Sequence, residues 1–259
     1  EIPQAVESRK YSAENDATLL LVKPGKRDVV NEAFRVMRTN LDFMLKKDGD
    51  SSVVMVTSFN PGSGKSFITM NLAVSFAIKN KNVLVIDGDL RHASSSGYMK
   101  KPKIGLSSYL AGEDVAIKDV IYTDDKYPTL SYLPVGVIPP NPTELLEEER
   151  FETLIAELRK DYQLILIDCP PINMVADAQI IERCVDRTVF IVRAGLLEKS
   201  MLPELESLYR DHKYKNMALV LNGTEVMNSR YGYKYGYKYG YHYGYGYGYH
   251  YGNEEKTTA

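Results

Sequence analysis

The chain has 259 residues, 32 Lys and Arg against 34 Asp and Glu, with 44% hydrophobic and 25% charged residues. This is the composition of a folded globular protein, so disorder throughout is excluded, and the length suits one large α/β domain with appendages or two small domains. A formal charge of -2 supplies no general attraction to phosphate backbones, which argues against nucleic acid as a partner.

Two cysteines, Cys169 and Cys184, set up no disulfide framework and suit a reducing compartment. The apolar runs at 19–22 and 83–86 fall far short of the roughly 18–20 residues of a membrane span. The chain starts at Glu1 with neither the charged nor the apolar region of a signal peptide, the pattern expected of a fragment, with membrane attachment upstream left open.

In chain order, Pro24 and Gly25 punctuate the sequence before a first helix predicted over 28–46. That helix carries EAFRVMR at 32–38, and a spacing of three puts Glu32, Arg35 and Arg38 near one face. Beyond it, short apolar runs at 53–57, 83–86, 164–167, 188–192 and 217–221 have the character of central strands. They alternate with predicted helices over 65–79, 143–160, 176–184 and 200–213, the pattern of parallel strands joined by helical crossovers. The segment 92–103 has no clear period and is expected to be a loop. Near Arg230 the composition changes abruptly: Tyr occupies every odd position from 231 to 251, eleven of the 20 tyrosines, with only Gly, Lys and His between. Without aliphatic side chains such a tract builds no core and is expected to be a mobile tail. The organisation read from these features is an N-terminal segment 1–27, a domain 28–222 that includes the first helix, and a tail 223–259.

Three motifs carry chemistry. TSFNPGSGKS at 57–66 lies between the strand VVMV and the helical run FITMNLAVSF, the order in which consecutive backbone N–H groups and a helix N-terminus cradle phosphates. In that reading Lys65 reaches the β- and γ-phosphates and Ser66 ligates Mg²⁺, although Phe59 stands where the motif wants Gly. VLVIDGDLR at 83–91 ends a strand with Asp87 and Asp89, which share a face if extended, and LILIDCPP at 164–171 ends another with Asp168. Singly, each is open to reading as a turn or a solvated strand end. Ligands of open parallel sheets sit beyond the carboxyl ends of strands, so the three together predict a P-loop NTPase: a doubly wound, mostly parallel sheet flanked by helices.

The set resembles the Walker A, A′ and B motifs of the bacterial tyrosine kinases, autophosphorylating kinases of capsule and exopolysaccharide synthesis, and the Tyr-rich end is similar to their tyrosine cluster. The resemblance covers the chain from about residue 28 onward. The partitioning and septum-site ATPases resemble it at the same strand ends, but carry a signature Lys where Asn60 stands and Gly where Pro61 stands, so the loop falls on the kinase side. No H-R-D and no D-F-G occurs, which excludes the eukaryotic kinase fold.

The resemblance implies ATP held by Pro61, Gly62, Ser63, Gly64, Lys65 and Ser66, and Mg²⁺ held by Ser66, Asp89 and Asp168, the carboxylates acting through water. Lys65, Asp87 and Asp89 are the catalytic candidates, with Asp87 as base and an exchange of roles with Asp89 left open. A carboxylate near 3.9 is a weak base for a phenol near 10, but a loose phosphoryl-transfer transition state asks mainly for alignment and charge stabilisation. Asn222 resembles an adenine-contacting Asn, or simply forms a turn with Gly223; Arg91 contacts phosphate or braces its loop. The implied phosphoacceptors are Tyr231, Tyr233, Tyr235, Tyr237, Tyr239, Tyr241, Tyr243, Tyr245, Tyr247, Tyr249 and Tyr251.

Glu32, Arg35 and Arg38 resemble the E-x-x-R-x-x-R motif through which these kinases form homo-oligomeric rings, an octamer being the implied state. Also implied are a transmembrane activator segment in the same or a separate polypeptide, a cognate phosphatase, and residence at the cytoplasmic face of the bacterial inner membrane. The 21-residue tract 231–251 extends to roughly 70 Å at about 3.3 Å per residue, enough for transfer between subunits. Full phosphorylation would take it from the charge of its two lysines, Lys234 and Lys238, to roughly -15 to -20. The alternatives are a partitioning-type ATPase and a nucleotide-binding scaffold without turnover.

Overall fold

All five apolar runs become strands of one sheet in the computed structural model, which describes residues 1–4, 20–45, 51–99 and 102–225. They are β2 (Ser52–Ser58), β3 (Val83–Asp87), β6 (Leu164–Asp168), β7 (Arg187–Arg193) and β8 (Ala218–Thr224). Three strands come in addition: β1 (Ile2–Pro3), β4 (Tyr122–Thr123) and β5 (Leu130–Leu133). The order across the sheet is β1-β8-β7-β2-β6-β3-β5-β4, parallel except for the antiparallel β4–β5 edge.

The central strands are apolar throughout because both sheet faces are covered. Val53, Met55, Leu84, Ile86, Ile165 and Ile167 pack into the core on one face. Their alternate neighbours Val54, Val56, Val83, Val85, Leu164 and Leu166 pack into the core on the other. On this second face lie α1 (Val29–Met44) and α2 (Lys65–Ala77). Ile68 to Ala77 are all buried, because α2 is covered by α1 on the side away from the sheet. Phe34 and Phe67 meet edge to face with centroids 5.9 Å apart.

The single helix expected over 143–160 is two helices, α5 (Pro142–Glu147) and α6 (Glu149–Leu158), separated by an extended Glu148. Leu145 and Leu146 are buried on the first, and Phe151, Leu154, Ile155 and Leu158 on the second. Six residues from 145 to 151 turn a continuous helix by roughly 600°, so both sets reach the core only if the helix breaks. The new N-terminus then takes Glu149 and Glu152 into its first turn, where carboxylates are favoured. The remaining expected helices appear slightly shortened as α7 (Asp177–Glu182) and α8 (Leu202–Arg210). Two short helices, α3 (Leu106–Leu110) and α4 (Ile117–Val120), precede β4, and within 92–103 a 3-10 turn forms at Ser95–Met99.

The sheet takes in residues that composition set apart. Ile2 is buried, with β1 paired to β8, and the amides of Leu21 and Val22 donate to Oδ1 of the buried Asn71. The chain divides after Glu225, and the eleven expected phosphoacceptor tyrosines lie outside the described residues. Among the described residues no helix is long and apolar enough to cross a membrane.

Candidate active site

Register brings the motifs together. Val56 of β2 is level with Asp168 of β6, and Asp168 is level with Asp87 of β3. Beyond Val56 the chain runs through Phe59 to Gly64 into α2, while Cys169 N donates to Val56 O at 3.0 Å and Thr57 Oγ1 to Pro170 O at 2.8 Å. The phosphate loop and the Asp168 turn are therefore bonded edge to edge.

The loop owes its shape to two glycines in the left-handed region, Gly62 at φ +73° and Gly64 at φ +90°. Asn60 O accepts the hydroxyls of both Ser58 and Ser63 at 2.8 Å. No side chain caps the first turn of α2, so its N–H groups are available to an anion. Asn222, from the end of β8, donates through Nδ2 to Ser63 O at 2.9 Å. A Cβ placed on Gly64 would stand 2.4 Å from that Nδ2. Here Asn222 braces the loop; it is part of a strand, with a turn at Gly223 excluded by the continuation of β8 to Thr224. Gly64→Ala is expected to add about 1–3 kcal/mol of strain and to weaken nucleotide binding in a fluorescent-ATP titration. Asn222→Ala in the same chain removes the clash but not the positive φ, so it should restore affinity only in part.

The half-buried Lys65 and the buried Asp168 form the ionic centre. Burial holds the Lys65 ammonium below its usual range, opposed by the nearby Asp168 and Asp89 carboxylates. Burial pushes Asp168 up to about 6, against the pull of the Ser66 hydroxyl and Lys65. Among the described residues neither buried Asp168 carboxylate oxygen has a well-formed hydrogen bond, although the Ser66 and Ser95 hydroxyls lie close enough to favour its charge, an arrangement that suits an incoming cation or its water. Asp89 commits Oδ1 to the amides of Arg91 and His92, at 3.3 and 3.2 Å, and to His92 Nδ1 at 3.2 Å. Asp87 is buried, and its Oδ1 accepts from Asp89 N at 3.3 Å. Among the described residues no group of three or more His, Cys, Asp or Glu is placed to hold a metal alone. That fits Mg²⁺, which keeps several waters and binds through one or two carboxylates plus phosphates. The residues present thus fit Mg²⁺-ATP: a glycine-shaped loop, uncapped helix amides, a half-buried ammonium, and a buried carboxylate without a well-formed hydrogen bond among the described residues.

Arg91 resolves as a brace. Its Nε donates to Asp177 Oδ2 at 3.0 Å and its Nη2 to Thr143 Oγ1 at 2.7 Å, and Thr143 donates in turn to Asp177 Oδ1 at 2.8 Å. This ties the end of β3 to α5 and α7. Sequence reasoning missed Thr143 and Asp177, which lie in no motif. It also passed over His92 at Asp89, and Arg193, whose Nη1 donates to Gly62 O at 2.6 Å.

The charged triad on α1 does not share a single face. Arg35 pairs with Glu32 at 2.5 Å and donates to Lys26 O, while Arg38 donates to Ser75 O of α2 at 2.9 Å. A spacing of three falls roughly 60° short of a full turn at each step, so Arg38 has rotated towards α2. What remains on the outer face with Glu32 is an apolar stripe, Val29, Val36 and Phe43, exposed at 58%, 52% and 76%.

Residues 51–183 match the family model described as an AAA domain. The chain is 36% identical over 205 residues to tyrosine-protein kinase YwqD of Bacillus subtilis, covering 78% of this chain and 85% of that protein. The chain belongs to the bacterial tyrosine kinase family. Tyrosine-protein kinase CpsD of Streptococcus agalactiae is 33% identical over 203 residues, covering 78% and 86%. The kinase domain of the Escherichia coli tyrosine kinase ETK superposes with a TM-score of 0.76 at 30% identity, covering 95% of this chain and 93% of that one. For a bacterial tyrosine kinase the constellation is coherent: protein-tyrosine kinase chemistry is run from a P-loop sheet, with its ionic centre at the carboxyl ends of β2, β3 and β6.

Proposed function

We propose that this chain is an autokinase that transfers the γ-phosphoryl group of ATP to tyrosines of the tract 231–251 on a neighbouring copy within a ring, and so regulates capsule or exopolysaccharide synthesis. The observation that carries the reading is the convergence of Lys65, Asp87, Asp89 and Asp168 on a loop shaped for phosphates.

Gly62, Ser63, Gly64 and the first amides of α2 would hold the phosphates, and Lys65 would neutralise charge at the β- and γ-positions. Ser66 and, through water, Asp168 and Asp89 would hold Mg²⁺, which when bound neutralises the charge that develops in transfer. Asp87 sits at the strand end beside Asp168 and would accept the proton of the tyrosine hydroxyl. Its task is to orient the nucleophile as much as to remove the proton.

Trans transfer is tested by mixing two full-length chains, one carrying Lys65→Met and the other carrying Phe at all eleven tract positions. Phosphate should accumulate on the first chain, by intact mass. Phosphate found on neither chain, while the unaltered protein phosphorylates itself, means that transfer occurs only within a chain.

Assembly is supported by the exposed stripe of α1, since apolar residues at positions i, i+7 and i+14 suit a helix that meets a partner. Val36→Glu with Phe43→Glu is expected to lower the native mass by light scattering with little change in thermal stability. An unchanged mass would remove this face from the interface. A membrane-associated activator, in cis or in trans, and a resetting phosphatase complete the proposed cycle.

A further inference from the structure

On the face of α1 turned away from that stripe lies a cleft of 280 Å³ between the segment 22–27, α1 and the end of α2. Its lining includes Lys23, Arg27, Arg35, Arg38 and Lys79 and no carboxylate. Glu32 answers Arg35, but among the described residues no carboxylate lies within 4.0 Å of Lys23, Arg27, Arg38 or Lys79. The walls are built from buried polar side chains. Asn31 Oδ1 accepts from Lys23 N at 2.9 Å and its Nδ2 donates to Leu21 O at 3.1 Å, while Asn71 holds the amides of Leu21 and Val22. Arg38 is half-buried, and among the described residues only its Nη1 is engaged, by Ser75. Burial, with the neighbouring Arg35 charge, holds the Arg38 guanidinium below its usual range, only partly opposed by the more distant Asp42 and Glu32 carboxylates.

We propose that this cleft is a binding site for a phosphate monoester dianion, and that its occupant is a phosphotyrosine from the C-terminal tract of a second copy of this chain. The inference rests on the autokinase reading above. Its volume is at the lower edge of the roughly 300–1,000 Å³ of ligand pockets, room for one phosphorylated ring. Charge complementarity selects the modified tract. Residues 231–252 contain two lysines and no acid, so the unmodified tract is repelled, whereas each phosphate adds about -1.5 to -2 and three acceptor oxygens suited to guanidinium donors.

The test uses the full chain, treated with phosphatase and kept free of ATP, and a labelled synthetic peptide of residues 231–241 with or without phosphate on Tyr235. Anisotropy should show binding of the phosphopeptide alone, weakened about tenfold or more by Lys23→Glu with Lys79→Glu. Both side chains are exposed and pair with nothing among the described residues, and a thermal melt confirms the fold. Equal affinity for the two peptides, or indifference to the charge reversal, overturns the site. So does binding of phosphatidylserine vesicles, sensitive to the same reversal, in the absence of phosphopeptide binding. Because the peptide is phosphorylated chemically, a chain that binds it yet never phosphorylates itself would sink the autokinase reading and leave the site standing.

Discussion

A chain carrying Lys65→Met is expected to gain no phosphate in MgATP over a period in which the unaltered protein gains several, followed as intact mass. Methionine keeps the length and apolar volume of the lysine stem, so the packing at the start of α2 should survive. What disappears is the half-buried cation beside Asp168 and Asp89. Ground-state nucleotide then meets two carboxylates without their counter-charge, and the transition state loses a fixed donor in a site of low dielectric. A loss of about a thousandfold or more in turnover follows, which is about 4 kcal/mol of barrier. Lys65→Arg separates charge from shape: it keeps the charge, but a planar fork does not fit where a compact ammonium sits, so partial activity is expected. Turnover of Lys65→Met within tenfold of the unaltered chain would remove Lys65 from the chemistry.

The strand ends that make the site were legible because they follow rules of local order. Each apolar run stops at an acidic or glycine-rich turn, and a parallel sheet must bring those turns to one edge. The third helix was legible in principle. Leu145 and Leu146 are out of phase with Phe151 and Leu154 on any continuous helix, so the break at Glu148 is written in the periodicity, whereas length and charge alone suggest a single element. β5 escaped because Leu130–Leu133 is only four residues long and includes Ser131 and Tyr132, whose burial depends on β3, β4 and α2 rather than on its own pattern. The brace from Arg91 through Thr143 to Asp177 joins residues 86 apart in sequence, and nothing local marks such a pairing. The same limit applies to Asn222. Its type and position at a strand end suggested a ligand contact, but only tertiary structure places its amide against Ser63 and Gly64.

Asp168→Asn is expected to make the ligand-free protein more stable while removing its activity. Burial raises the folded-state value of Asp168 from 3.8 to about 6. Between those values the folded chain holds a proton that the unfolded chain has released, so stability falls as pH rises through roughly 4 to 6. Above that window the charged, buried carboxylate carries its full penalty, of order 1–3 kcal/mol. Asparagine removes the charge in nearly the same volume. At pH 8 the variant should melt several degrees higher, at about 2–4 °C per kcal/mol, and the advantage should shrink towards pH 4. Addition of MgADP should reverse the ranking, because a ligand stabilises the fold in proportion to its affinity and the variant has lost the carboxylate that suits the metal. Kinase turnover should fall by about a hundredfold or more. If the variant instead melts lower at pH 8, Asp168 is held by favourable contacts in the ligand-free chain, and its carboxylate is not reserved for the metal.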